Sequence, residues 1–122
     1  MTPSIRVLFL DDEPYMLQAY QRMLRQEPFE CHYEQSCKQA RILLRKEPIE
    51  LLLIDYLMPE QNGLDFCKEQ SEWASATRCF LLSGMETTTE MQQALTQGLI
   101  QGILTKPISK AELLAFLQQQ LS

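Results

Sequence analysis

The chain has 122 residues, 45% of them hydrophobic and 22% charged, with a formal net charge of −5. That length suits one ordinary domain with a single core, and the composition excludes disordered and fibrous classes. The acidic balance argues against direct contact with nucleic acid, because sequence-independent binding relies on Lys and Arg to neutralise phosphates.

From the N-terminus, Met1-Thr2-Pro3-Ser4-Ile5-Arg6 lacks the basic-then-apolar pattern of a signal peptide. No apolar run nears the ~20 residues of a membrane span, so a cytoplasmic chain without membrane contact is expected. Residues 5–10, apolar except for Arg6, predict a buried strand that runs into Asp11-Asp12. Pro14, whose missing N–H costs nothing in a first turn, opens a helix to about residue 25. Met16, Leu17, Tyr20, Met23 and Leu24 form its inward stripe. Residues 31–34 are a short strand that the alternation demands more than its residues declare. Ser36 caps a second helix to about residue 46, with Ala40, Leu43 and Leu44 inward, and Pro48 closes it.

Residues 49–54, apolar apart from Glu50, read as a central strand buried on both faces, and Asp55 ends it. Asn62-Gly63 forms a turn before a helix over residues 64–72, with Trp73 a partly buried anchor behind it. Residues 78–82 make the fourth strand, followed by Ser83-Gly84. Thr87 with Glu90 fits a capping box for a helix to about Gln97, stopped by Gly98. Residues 99–104 are the fifth strand and lead into Thr105-Lys106-Pro107. Ser109 with Glu112 repeats the capping box, and the last helix sets Leu113, Phe116, Leu117 and Leu121 on one side. The four cysteines, Cys31, Cys37, Cys67 and Cys79, form no C-x-x-C pair and have only His32 for company. They read as reduced core thiols, and His32 as a strand-edge residue.

Strict alternation of strands and helices, joined by short right-handed crossovers, predicts an α/β doubly wound fold. It is a flavodoxin-like five-stranded parallel sheet of order 2-1-3-4-5 with helices on both faces. In such a sheet ligands sit outside the carboxyl ends of the strands, where Asp11, Asp12, Asp55, Ser83 and Lys106 all fall. Three carboxylates brought together repel by roughly 4 kcal/mol per close pair at intermediate dielectric, so the cluster calls for a cation. Mg²⁺ takes oxygen ligands and commonly bridges carboxylates to phosphate oxygens. Lys106 would add positive charge and Ser83 a neutral donor toward a phosphoryl group in transfer. A carboxylate nucleophile gives an aspartyl phosphate, and Asp55, on the most apolar strand, is the candidate. Taken alone, Glu13 is a solvated helix start, Lys106 a surface lysine and Ser83 a loop serine. Pro107 forces an extended conformation on Lys106.

The pair Asp11-Asp12, the stretch Asp55-Tyr56-Leu57-Met58-Pro59-Glu60-Gln61-Asn62-Gly63, Ser83 and Lys106-Pro107 resemble, in order and spacing, the receiver domain of two-component response regulators. The resemblance covers essentially all of residues 1–122 as a single domain. It implies a phosphoryl-accepting switch rather than a turnover enzyme. Asp55 would accept the group from a sensor histidine kinase or a histidine phosphotransfer protein, and a downstream output domain or partner protein would read the result. It also implies that Asp12 coordinates Mg²⁺ directly, Asp11 largely through water, and that the backbone carbonyl of Leu57 completes the protein ligands beside Asp55. Because the chain ends with its last helix, a stand-alone receiver or the front of a longer protein is expected.

Three departures from the receiver pattern mark this chain. Ile103 stands where many receivers place a Tyr or Phe switch, so transmission should rest on the loop at Ser83-Gly84 and the helix after it. Gln92, Gln93, Gln97, Gln101, Gln118, Gln119 and Gln120 occupy a surface that receivers of winged-helix transcription factors resemble one another in lining with charged pairs, which disfavours that subclass. Leu57 and Met85 occupy positions where fast-decaying receivers carry an amide or acid that orients the attacking water, so a long-lived phosphorylated form is expected. Among other classes, a flavodoxin-type flavin carrier would need a phosphate-cradling loop where Asp11-Asp12-Glu13 stands. A haloacid-dehalogenase-type phosphatase would need a second acid at Leu57. The alternative that remains is a pseudo-receiver, an interaction module that is not phosphorylated.

Overall fold

A computed structural model describes residues 5–74 and 76–121, so Met1 to Ser4, part of the stretch read for targeting, lie outside the described residues. Five strands and five helices alternate: β1 (Arg6–Leu10), α1 (Pro14–Leu24), β2 (Glu30–Glu34), α2 (Cys37–Lys46), β3 (Leu51–Asp55), α3 (Gly63–Gln70), β4 (Arg78–Ser83), α4 (Thr89–Gln97), β5 (Gly102–Thr105) and α5 (Lys110–Gln120). The sheet is parallel throughout and ordered β2-β1-β3-β4-β5, as expected.

Alternation along the strands divides the core in two. Val7, Phe9, Leu51, Leu53, Phe80 and Leu82 face α1 and α5, where Leu17, Tyr20, Leu24, Leu113 and Leu117 are buried against them. Leu8, Leu10, Leu52, Ile54 and Leu81 face the other way and pack under α2, α3 and α4. The three central strands are therefore buried on both faces beyond the half-buried Arg6 and Arg78 that open β1 and β4, as their largely apolar sequences require. Edge strands β2 and β5 are only half-buried, which is why their residues mark them less clearly.

Several boundaries differ from the sequence reading for local reasons. β3 begins at Leu51, not Ile49: Ile49 is buried before the strand, and the Glu50 carboxylate accepts the Arg6 N–H at 2.6 Å. Asn62 is the cap of α3, its Oδ1 accepting the Asp65 N–H at 2.8 Å, so the helix starts at Gly63 and stops at Gln70. Of three consecutive threonines, Thr87 to Thr89, it is Thr88 and not Thr87 that caps α4, accepting from Met91, and Glu90 then sits inside the first turn without closing a capping box. β5 starts three residues late because Leu99 and Ile100 are used in ending α4. Gly98 adopts φ 77°, and the Leu99 N–H returns to the Ala94 carbonyl at 2.9 Å, the usual left-handed stop. Ser109 and Glu112 do form the reciprocal box that opens α5, but Leu121 is exposed rather than part of the buried side. Cys37, Cys67 and Cys79 are buried and Cys31 is half-buried, all four as free thiols. No helix among the described residues is long and apolar enough to cross a membrane.

Candidate functional site

Four of the five strands deliver groups to the carboxyl edge of the sheet, two acids following β1 and one group each from β3, β4 and β5. Asp11, directly after β1, is fully buried; its N–H donates to the Glu34 carbonyl at 3.2 Å, and its Oδ1 accepts the Glu13 N–H at 2.9 Å. Asp12, half-buried, follows it. Asp55 closes β3 with 7% of its surface exposed. Ser83 closes β4, also buried, and its Oγ accepts the Met85 N–H at 3.2 Å. Lys106, beyond β5, is tied by its own N–H to the Ser83 carbonyl at 2.9 Å and is followed by a cis bond to Pro107.

Lys106 reaches across from β5 to the acids. Its Nζ lies 3.3 Å from Asp55 Oδ2 and 3.4 Å from Asp11 Oδ2. One carboxylate oxygen from each of Asp11, Asp12 and Asp55 falls within 4.8 Å of the others. Burial pushes the Asp11 carboxyl above its ordinary range, and the Asp55 charge adds to this. The Glu13 N–H and the Lys106 ammonium oppose them without reversing the sign. One lysine thus leaves the cluster short of positive charge. Three hard oxygen donors in that condition fit a divalent cation of the Mg²⁺ class.

The loop after β3 is shaped by Gly63. A Cβ there would stand 2.6 Å from the Asp55 carbonyl oxygen, so only glycine permits the start of α3 to approach the strand end this closely. The Gly63 N–H also returns to the Tyr56 carbonyl at 2.7 Å, closing the loop. Leu57 donates its N–H weakly to Asp55 Oδ1 at 3.4 Å. A hollow of about 410 Å³ opens above Asp55, lined by Tyr56, Leu57, Ser83, Gly84, Met85 and Lys106. At its lip the Leu57 and Met85 side chains are 66% and 46% exposed, so the entrance is apolar while the floor is charged. The structure therefore brings Asp11, Asp12, Asp55 and Lys106 together, with Ser83 and Leu57 lining the same hollow.

Two participants escaped that reading. Tyr20, legible only as a core residue of α1, is fully buried and stacks on Phe9 at 4.7 Å. Burial, with the charges of Asp11 and Asp55 acting on it, pushes its hydroxyl well above the usual range. Arg41 on α2 binds the loop after β3 from outside the hollow through Gln61. Neither has a local sequence signal, because each depends on which helix face lies over which strand end.

Residues 7–118 match the family model described as the response regulator receiver domain. The chain is 27% identical to the transcriptional regulatory protein TrcR of Mycobacterium tuberculosis, over 93% of this chain and 44% of that protein. It is 31% identical to the hydrogenase transcriptional regulatory protein HoxA of Cupriavidus necator, over 83% of this chain and 21% of that one. It thus spans less than half of either relative. Among solved structures, it is similar to the signal receiver domain of an HD domain-containing protein from Pseudomonas fluorescens, with a TM-score of 0.88, 26% identity, and 98% and 95% of the two chains covered. A CheY-like receiver domain protein from Methanospirillum hungatei has a TM-score of 0.87 at 18% identity, covering 98% and 94%, and shares the fold.

Proposed function

The chain belongs to the response regulator receiver domain family, and from that premise we propose that it is a phosphoryl-accepting switch built on Asp55. Receiver domains are signalling switches rather than turnover enzymes. The observation that carries the reading is one ammonium held between two buried strand-end carboxylates, with a third acid beside them and a hydroxyl lining the same hollow.

In this reading an Asp55 carboxylate oxygen attacks the phosphorus of a phosphohistidine on a sensor histidine kinase or histidine phosphotransfer protein. The P–N bond breaks, the imidazole leaves with its electron pair, and an acyl phosphate remains on Asp55. Asp12 would hold Mg²⁺ directly and Asp11 largely through water, with Asp55 and the Leu57 backbone carbonyl as the other protein ligands. When bound, the ion offsets the negative charge that carboxylates and phosphoryl oxygens bring together. Lys106 exchanges a carboxylate oxygen for a phosphoryl oxygen. Ser83 Oγ turns from Met85 toward another, drawing the 83–85 loop with it. With Ile103 in place of an aromatic, half-buried and packed against the core, the response passes through that loop and α4 to a downstream output domain or partner protein. Residues 1–122 act as one receiver domain, in the cytoplasm, without touching nucleic acid or membrane.

The test is intact mass after incubation with acetyl phosphate and Mg²⁺. A single phosphate adduct, absent in Asp55→Ala and suppressed by EDTA, is expected. No adduct from either small donors or phosphorylated kinases would make the chain a pseudo-receiver.

A further inference from the structure

Outside the hollow, a polar network ties the loop of residues 56–62 to α2. Arg41 donates from Nε to Glu69 Oε2 at 2.6 Å and from Nη2 to Glu69 Oε1 at 3.3 Å, bridging α2 to α3. The same Nη2 donates to Gln61 Oε1 at 2.5 Å, and the guanidinium lies 5.4 Å from the centre of the Phe66 ring. One residue earlier, Glu60 Oε1 accepts the Cys37 N–H at 3.4 Å, placing a carboxylate at the N-terminus of α2, where the helix dipole favours it.

The loop therefore has inner and outer anchors. Inside, Met58 is buried in the core and Gly63 closes on Tyr56. Outside, Glu60 and Gln61 are fastened to a neighbouring helix. A two-pronged Arg–carboxylate contact is a strong and directional one, and lysine cannot reproduce its planar fork. With Glu69 orienting the guanidinium, Arg41 presents a donor to Gln61 from a fixed direction. Leu57 lies four residues before Gln61 in the same loop. Mg²⁺ demands near-ideal octahedral geometry, so small displacements of a ligand-bearing loop reach its affinity.

We propose that Arg41 is a positioning residue for the metal site: through Gln61 it fixes the loop that offers the Leu57 carbonyl, and so sets the affinity for Mg²⁺. The inference rests on the reading of this site as a Mg²⁺-dependent phosphoryl acceptor. The same two helices supply an internal control, since Arg45 lies over the Trp73 ring at 4.9 Å, near the other end of α2. That contact crosses from α2 to the segment after α3 but does not involve the 56–62 loop.

The experiment titrates Mg²⁺ calorimetrically into the full chain and its variants, alongside thermal unfolding and amide hydrogen exchange of residues 57–62. Arg41→Ala is expected to raise the Mg²⁺ Kd about threefold to tenfold, below the ~10–100-fold of a partner bonded directly to a ligand. Gln61→Ala, which leaves the Arg41–Glu69 pair intact, should weaken Mg²⁺ in the same direction with a smaller loss of Tm, and it carries the test should Arg41→Ala not fold. Arg41→Lys should fail to rescue. Both Arg41→Ala and Gln61→Ala should speed exchange in the loop, while Arg45→Ala lowers Tm without moving Kd. Wild-type binding that neither Arg41→Ala nor Gln61→Ala alters, or equal weakening by Arg45→Ala, overturns the inference alone. A wild-type chain that binds no Mg²⁺ overturns the parent reading and the inference with it.

Discussion

The two ends of the sheet carry similar charges in opposite settings. At the carboxyl end Asp11 and Asp55 are buried beside Lys106. At the amino end Glu30 pairs in the open with Arg6 at 3.0 Å and His32 at 3.1 Å. Burial drives the Asp11 carboxyl up, whereas the His32 contact, with help from Arg6, holds that of Glu30 down. Exposed pairs of the second kind contribute little, since solvent screens them. Concentrated charge at the first end opposes folding, since burial raises the cost of the Asp11 carboxylate. What separates a site from surface decoration here is burial, not the number of charges.

Metal affinity should separate the ends most widely. Asp12→Ala is expected to raise the Mg²⁺ Kd by more than the ~10–100-fold that loss of a partner bonded to a ligand costs at metal sites, with Asp11→Ala doing less. Glu30→Ala should change nothing in the same titration. Equal losses for Asp11 and Asp12 would remove the distinction between a direct and a water-mediated ligand.

A change in the body of the sheet should report on neither end. Ile103 is half-buried, so Ile103→Ala should cost about 1–3 kcal/mol through lost packing, the low side of large-to-small core replacements. Its conformational response to beryllium fluoride should survive. Wild-type stability with no response would show that Ile103 belongs to the switch after all.

The apolar lip of the charged hollow gives a kinetic contrast. Leu57 and Met85 cannot orient a water by strong hydrogen bonds, and Leu57→Asn combined with Met85→Glu should shorten the phosphorylated lifetime roughly tenfold by supplying that positioning. Decay of the phosphorylated protein, followed in both forms, is the measurement. An unchanged lifetime would mean that these two side chains only pack against the loop.

The smallest effects concern stability against pH, and they differ in sign. Asp11 titrates higher folded than unfolded, so its ionisation opposes folding once pH rises above the ordinary carboxylate value, fully so beyond the raised one. Asp11→Asn should therefore raise Tm of the metal-free protein at neutral pH, the gain fading toward acid. Glu30 titrates lower when folded, so its contribution is present above the ordinary value and lost as pH falls through the lowered one. Glu30→Gln should lower Tm slightly at neutral pH. Shifts of the same sign would break the comparison between the two ends.

Sequence displayed these regions unequally. The buried strands at Val7 to Leu10 and Leu51 to Ile54 declare themselves because burial on both faces leaves no room for polar residues, and the acids that end them stand out against the apolar runs. Edge strand β2 does not, being half-exposed, and the cap of α4 falls one residue past the Thr87 that the sequence suggests, because Thr87, Thr88 and Thr89 are chemically equivalent neighbours. The start of β5 was hidden in the same way: Leu99 and Ile100 look like strand residues but are used to end a helix at Gly98. Arg41 was invisible as part of the site, since its partners Gln61 and Glu69 lie 20 and 28 residues away and only helix packing brings them together.

The central claim, that the buried end of the sheet directs phosphoryl chemistry to one carboxylate, is met most directly by mapping the acyl phosphate. Protein treated with acetyl phosphate and Mg²⁺ is reduced with borohydride, which converts an aspartyl phosphate to homoserine, and its peptides are then weighed. Homoserine at position 55 alone, and only when Mg²⁺ is present, is the predicted result; homoserine at Asp11 or Asp12, or none at all, would contradict the account.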